Sequence, residues 1–394
     1  MNANVKYSSV WLACLVGAST TAQTYRVTDL GLLGRPEMGL NNRSQVTGTS
    51  TNNQAFRWDS GIATSLGTLG PTSFGRGIND AGDVVGYSYN GYSMRAVKFT
   101  GATPIDMGAL PSSFGSYAVA MNNSGQAVGL TYTGMSFPYV ATIWQEGTVT
   151  NLGTLAGGWS TAWGINTSGS IVGTSDNRAF IYTPAAGMRS LPDPPECIGS
   201  QAEAISDSSV IVGSTGATNF VSAIHAAAWR QGMGIDLGLL RPPTNFVSSY
   251  AHGVNFSEVI VGESDTLIGV HAFIFTFTNG MRDLNDFIPS SSGWVLTSAT
   301  AINDSGQILG MGNYQGQQRA YLLTPKPQFT LLLAQGKLAF TLSGLAIQCR
   351  YTIEASHDLH TWSELRSFTA TQTQTNWLDY PNSPEQRGYY RVHF

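Results

Sequence analysis

The chain has 394 residues and a net charge of −4 at pH 7. Charged residues make up only 11% of it, against about 25% in an average soluble protein. This composition provides no basic surface of the kind that binds nucleic acid, so we expect no nucleic-acid partner. The 45 glycines and the short apolar runs rich in Val, Ile and aromatic residues predict an all-β protein.

Residues 1–22 have the features of a signal peptide. Lys6 supplies a positive charge, residues 10–17 form a short apolar run, and small residues precede a cleavage point after Ala22. The apolar run is too short to span a bilayer, and a lipoprotein anchor at Cys14 fits less well. We therefore expect a secreted bacterial protein, extracellular or in the cell envelope, with no membrane insertion after the signal is removed.

The rest of the chain is organised around a repeated hairpin of two short apolar strands and a polar turn, such as AINDSGQILG at residues 301–310. Asn, Asp and Gly accept the positive φ angles that tight turns need. Seven copies occur, on average about 44 residues apart, which is the length of a four-stranded propeller blade. Each copy ends in a glycine: Gly48, Gly86, Gly129, Gly173, Gly213, Gly262 and Gly310.

Each repeat divides into four predicted strands, a to d. Strands a and b flank the polar turn, strand c has a small residue before bulky ones, and strand d contains a Leu-Gly pair, as in residues 152–155. The seventh repeat has no Leu-Gly strand after Leu323, whereas residues 25–33 form an unassigned strand of this type. We therefore predict a seven-bladed β-propeller over residues 23–325, closed by the N-terminal strand and without exposed sheet edges. An open solenoid is the alternative.

Strand a carries small residues at alternate positions, as in Ala118 and Ala120, which suits the place where blades converge on the axis. The first repeat departs from this pattern at Glu37. The residue between the small ones varies and is predicted to lie near the central channel; across the repeats it is Met38, Arg76, Val119, Trp163, Glu203, His252 and Thr300. The ionisable members are candidates to bind a ligand, or to make structural hydrogen bonds between blades.

A second set of candidates lies in the aromatic connections between strands b and c. Exposed tyrosines would give a flat amphipathic surface suited to a sugar or a protein, or they would pack on one another as loop cores. This set contains Tyr87, Tyr89, Tyr92, Tyr132, Phe137, Tyr139 and Tyr314. From both sets, the predicted ligand-binding residues are Arg76, Tyr87, Tyr89, Tyr92, Tyr132, Trp163, Glu203, His252 and Tyr314.

The combination of Leu-Gly strands, polar-turn hairpins and AFxW-like strands resembles the HAF family of extracellular repeat proteins. The last repeat is especially similar: Asp283-Leu284-Asn285 replaces the Leu-Gly pair, SGWVL follows at residues 292–296, and AINDSGQILG precedes a closing Leu-Thr-Pro. The resemblance covers about residues 25–325. It implies export and a repeat fold, and it carries over no catalytic residue.

Residues 326–394 differ in character from the repeats. Residues 337–342 and 350–356 alternate between apolar and polar side chains, and later strands are predicted at residues 376–379 and 389–392. About five strands in this length predict a small β-sandwich. The pattern YTIEASHDLHTW…YYRV is similar to a C-terminal β-sandwich module of bacterial secreted proteins, which implies display or attachment at the cell surface.

The sequence contains no His-Glu-x-x-His, no Gly-x-Ser-x-Gly and no phosphate-binding glycine motif. His357 and His360 form a pair without a third ligand, and turn geometry explains the Asn-Asp turns without calcium. We therefore expect no metal and no cofactor. The main hypothesis is an exported, monomeric binding or scaffold protein that holds a glycan or an extracellular protein on the loop face of the propeller.

Two alternatives stay open. One is a polysaccharide hydrolase or lyase at the channel mouth, with Glu203 as acid or base, His252 as base and Arg76 as a carboxylate clamp. Glycoside hydrolysis usually needs two carboxylates, and the channel set offers only Glu203 unless Glu37 points inward. The other is a cell-surface structural protein without a soluble ligand, which the low charge and the C-terminal module suggest.

Overall fold

The computed structural model describes residues 24–393, apart from residues 33–36, 102, 135–138, 196, 218–223, 241–246, 327, 335–336, 344–349, 357–359, 370–373 and 380–388. The predicted signal peptide lies outside the described residues. The chain divides into two compact units, one of Tyr25–Pro325 and one that contains the residues from Lys326 on. Within the described part, no helix has the length and hydrophobicity needed to cross a bilayer.

The first unit is built almost entirely of short β-strands. Two short 3-10 helices, Leu284–Phe287 and Ser290–Ser292, lie between the strand that ends at Asp283 and the strand that begins at Trp294. In chain order the strands are β1 (Tyr25–Gly31), β2 (Gly39–Leu40), β3 (Val46–Thr49), β4 (Ala55–Asp59), β5 (Ile62–Ser65), β6 (Thr72–Ile78), β7 (Val84–Tyr89), β8 (Met94–Phe99), β9 (Pro104–Asp106), β10 (Gly115–Met121), β11 (Ala127–Tyr132), β12 (Tyr139–Gln145), β13 (Thr148–Asn151), β14 (Ser160–Ile165), β15 (Ile171–Ser175), β16 (Arg178–Thr183), β17 (Gly187–Ser190), β18 (Cys197–Ile205), β19 (Ile211–Ala217), β20 (Ile224–Arg230), β21 (Met233–Gly238), β22 (Ser249–Val254), β23 (Ile260–Thr266), β24 (Gly269–Thr276), β25 (Gly280–Asp283), β26 (Trp294–Ile302), β27 (Ile308–Tyr314) and β28 (Gln317–Pro325).

These strands form seven antiparallel four-stranded sheets, one for each repeat. In blades one to six the strands follow each other in the chain, from β2–β5 to β22–β25. The seventh sheet has the order β1-β28-β27-β26, so it contains both ends of the unit. Tyr25 pairs with Pro325, and Gly31 pairs with Ala320. The prediction of a seven-bladed propeller closed by its N-terminal strand is confirmed.

The placement of the Leu-Gly pair inside strand d is wrong for the first three blades. Strands β5, β9 and β13 each end immediately before the pair, which in blade two is Met107-Gly108. Gly67, Gly108 and Gly153 have positive φ angles of 78°, 85° and 85°, a conformation that glycine adopts readily and that ends an extended strand. The residue before the glycine is buried in two of them, Leu66 and Leu152, so the pair anchors the connection to the next blade.

The polar turn between strands a and b is held by the side chain of its first residue. In blade three, Asn122 Oδ1 accepts hydrogen bonds from the backbone N–H groups of Ser124 and Gln126, both at 3.1 Å. Its Nδ2 donates to the carbonyl oxygen of Asn166 in blade four, also at 3.1 Å. The asparagines that donate to the next blade in this way, named here the asparagine ring, are Asn41, Asn122, Asn166, Asn255 and Asn303.

The positive φ angle of this turn belongs to its fourth residue, not to its first. That residue is glycine in four blades, and it is Ser44, Ser209 or Glu258 in the other three. The asparagine therefore acts through its side chain, as a bond between blades, while glycine supplies the backbone conformation.

The apolar core lies between adjacent blades. Val128 and Ala141 of blade three, for example, share one buried cluster with Ala162, Ile171 and Phe180 of blade four. Because each blade buries its faces only against its two neighbours, the fold depends on a closed ring. This arrangement leaves the axis free for a cavity.

The strands of the second unit are β29 (Gln328–Ala334), β30 (Lys337–Ser343), β31 (Arg350–Ser356), β32 (Trp362–Thr369), β33 (Gln374–Asp379) and β34 (Tyr389–His393). They form two three-stranded sheets, β29-β30-β33 and β32-β31-β34. All pairings within these sheets are antiparallel, as in the small β-sandwich that the sequence predicts. Tyr351 and Ile353 of β31 are buried, and so is Leu342 of β30.

Candidate functional site

A cavity of about 720 Å³ lies on the propeller axis. Its lining residues lie ahead of the polar turns, on the side of the d-to-a and b-to-c connections, which we define as the upper face. The variable residue of strand a in every blade lines this cavity: Met38, Arg76, Val119, Trp163, Glu203, His252 and Thr300. The structure therefore brings together at the axis the side chains that the repeat spacing places there.

A β-bulge directs these side chains toward the axis in blades two to seven. A bulge adds an unpaired residue to one strand and re-aims its side chain. The close approach of strands a and b also explains the last glycine of the repeat, since a Cβ on Gly86 or Gly129 would collide with the carbonyl oxygen of Phe74 or Tyr117. The register shifts fall at Arg76, Val119, Trp163, Glu203, His252 and Thr300.

Blades five and six contribute a cluster of three charged side chains. His252 Nδ1 lies 2.7 Å from Glu203 Oε2, and His252 Nε2 lies 3.9 Å from Glu263 Oε2. Sequence reasoning missed Glu263, which is on strand b directly after Gly262. A signal was present, because Glu263 is the one charged residue among the seven that directly follow the last glycine of the repeat.

The two glutamates keep His252 protonated. Burial alone would lower the pKa of His252, but its hydrogen bond to Glu203 and its attraction to both glutamates outweigh burial and raise the pKa to about 10. Burial would raise the pKa of Glu263, but the nearby His252 and a hydrogen bond from Ser298 hold that pKa below its usual value. At neutral pH the ring is an imidazolium, which cannot accept a proton. The role of a base that the sequence suggests for His252 does not fit this state.

Arg76 and Glu37 form a second ion pair at the cavity, between blades two and one. Arg76 Nη1 lies 3.2 Å from Glu37 Oε1, and both residues line the cavity. Glu37, the exception to the small-residue pattern, therefore does point inward. Both ion pairs join adjacent blades, which is the structural role that the sequence left open for Arg76, Glu203 and His252. The same polar groups face the cavity and can reach a ligand.

A ring of apolar side chains, named here the apolar floor, lines the end of this cavity nearest the polar turns. The same side chains also line a smaller cavity of about 210 Å³ among the polar turns on the opposite face. The floor thus lies between the two cavities along the axis. Each blade contributes the residue directly before its polar turn: Leu40, Ile78, Met121, Ile165, Ile205, Val254 and Ile302.

Three of the predicted tyrosines, Tyr87, Tyr132 and Tyr139, belong to a continuous aromatic row. Neighbouring ring centroids are 4.5 to 5.9 Å apart. Burial, with the neighbouring tyrosines, raises the pKa of Tyr117 to about 12. Tyr87, Tyr132 and Tyr139 lie in strands β7, β11 and β12 rather than in the connections between strands. The contact of Tyr87 with Tyr117 joins blades two and three, as in the packing alternative weighed from the sequence. The order of the row is Phe74, Tyr87, Tyr117, Tyr132, Tyr139 and Trp159.

The other predicted tyrosines lie apart from the cavity. Tyr92 is 94% exposed, and Tyr89, the last residue of β7, donates from its hydroxyl to the backbone carbonyl of Gly91 at 3.0 Å. Tyr314 stacks on Trp294 with ring centroids 5.1 Å apart. Phe137 lies outside the described residues. The structure therefore gathers the channel candidates at one site and leaves the tyrosines out of its lining.

The possible metal pair of the C-terminal unit is only partly described, since His360 is placed and His357 is not. Across the part of the chain that the structure describes, no group of three or more His, Cys, Asp or Glu side chains is arranged to hold a metal ion.

No family model matches the sequence, and no curated protein is significantly similar to it. Among solved structures, a gluconolactonase of Xanthomonas campestris has a TM-score of 0.38 at 11% identity, over 78% of this chain and 93% of that one. The extracellular domain of a one-component system of B. thetaiotaomicron has a TM-score of 0.48 at 11% identity, over 87% and 47%. A fucose-specific lectin from Aleuria aurantia has a TM-score of 0.35 at 13% identity, over 64% and 95%.

At these TM-scores and identities, the matches do not indicate a function for this chain. The strands of this chain define its class: it is a seven-bladed β-propeller with a cavity on its axis that charged and apolar side chains line.

Proposed function

We propose that this protein is an exported binding protein that holds a glycan in the axial cavity. The composition of the cavity carries this proposal: charged and polar groups converge from different blades, near Trp163 and above the apolar floor. Ligand sites are typically concave, with volumes of about 300–1,000 Å³ and a few placed polar groups in a mainly apolar lining. A glycan offers hydroxyl groups for the charged walls and a flat apolar ring face for Trp163.

The aromatic row is a weaker candidate for this role. Its rings are already in contact with one another over the whole row, so they offer less free surface to a ligand. An extracellular protein partner is the alternative occupant of the upper face, and Tyr92 is the exposed side chain through which it would dock.

The test is a screen of residues 23–394 on a broad glycan array at moderate salt, followed by calorimetric titration of any sugar class bound. We expect Trp163→Ala to weaken binding strongly and Tyr92→Ala, at an exposed position on the same face, to leave it unchanged. Loss of binding in Tyr92→Ala alone would move the site to the loops. A blank array would contradict the glycan proposal and lead to pull-downs for a protein partner.

The cellular setting is part of the same proposal. Residues 1–22 direct export, the chain is an HAF-type repeat protein that acts as a monomer outside the cytoplasm, and residues 326–394 serve in display at the cell surface. The sequence features described above support these points. Recovery of protein beginning at Gln23 from the medium or cell envelope is the expected result, and retention in the cytoplasm with an intact N-terminus would contradict it.

A polysaccharide hydrolase or lyase is the second candidate, and Glu263 is the observation that favours it. With Glu203, it places two carboxylates beside His252, and glycoside hydrolysis commonly uses two. In this case Glu203 acts as acid or base and Arg76 orients a carboxylate of the substrate. An assay for new reducing ends or unsaturated products, with Glu203→Gln as control, decides between turnover and binding alone.

A further inference from the structure

The wall of the axial cavity formed by blades five and six carries a surplus of negative charge. Glu203 and Glu263 both face His252, at 2.7 and 3.9 Å. Among the described lining residues, these blades contribute no other charged side chain. A protonated His252 neutralises one of the two carboxylates, and a neutral ring would leave both uncompensated. The wall is therefore acidic in either protonation state.

The opposite wall does not offset this surplus. Arg76 is paired with Glu37 at 3.2 Å, so the two charges cancel locally. The described lining as a whole has three carboxylates and two cationic groups. An anionic ligand would lose its hydration and meet excess carboxylate in the cavity, so its binding would be unfavourable. A cationic ligand would instead gain an oppositely charged partner.

We propose that the cavity selects amino sugars with a free amine, and that Glu263 is the residue that determines this selectivity. The inference rests on the proposed glycan-binding function. The separation of 3.9 Å between Glu263 Oε2 and His252 Nε2 is longer than a hydrogen bond. Glu263 accepts a hydrogen bond from the neutral Ser298, but it lies farther from the imidazolium than Glu203 does. An ammonium group can therefore pair with it.

Two neighbouring features favour the same ligand. Trp163 lines the cavity from blade four, next to Glu203 in blade five, and an indole face attracts an ammonium group. The apolar floor lies two residues further along each strand a, where an unpaired charge would be desolvated. The amine is therefore held at the level of the bulge residues.

The experiment compares three oligosaccharide probes by calorimetry on residues 23–394, at a pH where free amines are protonated. The probes are a chitosan tetrasaccharide, its N-acetylated chitin counterpart and a tetragalacturonate. We expect the chitosan probe to bind at least about ten-fold more tightly than the chitin probe, since a hydrogen bond to a charged group typically contributes that much. We expect no detectable binding of the galacturonate.

Glu263→Gln is expected to bring the ratio between the first two probes close to one. Glu258→Gln is the matched control, because it removes the same charge from the same blade. Glu258 is paired with Arg230 at 2.8 Å and does not line the cavity, so the preference is expected to persist. Thermal melting confirms that both variants fold.

Equal affinity for the chitosan and chitin probes in the wild type, or tighter binding of the galacturonate, would overturn this inference and leave the proposed function intact. Loss of the preference in Glu258→Gln would overturn the assignment to Glu263. Failure of all three probes together with a blank glycan array would overturn both proposals. The comparison of probes on the wild type decides the selectivity even if Glu263→Gln does not fold.

Discussion

Replacing Asn303 by alanine tests whether the asparagine ring holds the propeller closed. Asn303 is 4% exposed. Its Nδ2 donates to the carbonyl oxygen of Asn41 at 3.0 Å and to Gln307 Oε1 at 2.8 Å, and its Oδ1 accepts from the Gln307 N–H at 2.9 Å. The bond to Asn41 joins blade seven to blade one, so it spans the junction at which the ring closes.

Asn79 is the matched control, at the same place in blade two and 5% exposed. Its Oδ1 accepts from the N–H groups of Ala81 and Asp83 at 3.1 and 3.0 Å, but its Nδ2 makes no hydrogen bond to the described residues of another blade. Each substitution removes the Oδ1 hydrogen bonds that hold the polar turn of its blade. Only Asn303→Ala also removes the two hydrogen bonds that Nδ2 donates. At about 0.5–1.5 kcal/mol each, the extra cost is about 1–3 kcal/mol.

For a domain of this size, the difference corresponds to roughly 2–6 °C in melting temperature between the two variants. Urea unfolding followed by tryptophan fluorescence measures the same difference as a lower midpoint for Asn303→Ala at an unchanged slope. The nine tryptophans of the chain provide the signal. Equal losses in the two variants, or a greater loss in Asn79→Ala, would refute the assignment of stability to the Nδ2 bonds of Asn303, one of which joins the two blades.

Two further predictions concern the axis and the turns. Because the pKa of His252 is raised to about 10, its contribution to stability is complete below its unfolded pKa of about 6.5 and is lost as pH rises toward 10. The urea midpoint of the wild type is therefore expected to fall more over that range than that of His252→Gln; a parallel decline would contradict this. Ser209 has a φ angle of 67°, so Ser209→Gly is expected to stabilise the protein by up to about 1 kcal/mol, and a lower melting temperature would contradict that.

The number of blades and the mode of closure could be predicted because both follow from the order and spacing of the repeats. The polar-turn hairpin recurs at blade length, and the strand missing after Leu323 has an unmatched counterpart at residues 25–33. The end of strand d could not be predicted in the same way. A Leu-Gly pair has the same sequence whether it lies inside a strand or just after it, and only the backbone shows the positive φ angle of Gly67.

The part of the candidate site that follows the repeat could be predicted from the sequence, and the rest could not. The position of Glu203 and His252 at the axis follows from the small residues on either side of them, although the bulge that aims them depends on strand pairing. The contact with Glu263 could not be predicted from spacing, since it joins strand a of one blade to strand b across 11 positions of a hairpin with variable side chains. The aromatic row likewise depends on ring contacts between blades, such as Tyr87 with Tyr117 at 4.5 Å.

Closure by the N-terminal strand leads to a prediction about removal of residues 1–31. Tyr25 is 2% exposed and its ring lies 6.5 Å from that of Phe287, so β1 contributes to the core as well as to the sheet. Without β1, strand β28 becomes an exposed edge with unpaired backbone groups, which favours pairing with other chains. We expect the truncated protein to melt at a lower temperature and to self-associate in size-exclusion chromatography.

A synthetic peptide of residues 24–32 makes the cause of this defect testable. Added in excess, it is expected to occupy the vacant place beside β28 and to restore the melting temperature and elution volume of the untruncated protein. The same peptide with Val27→Pro is the control, because proline lacks the N–H group and disfavours an extended ladder. If the truncated protein remained monomeric with an unchanged melting temperature, or if both peptides rescued it equally, strand pairing at β1 would not be what closes the propeller.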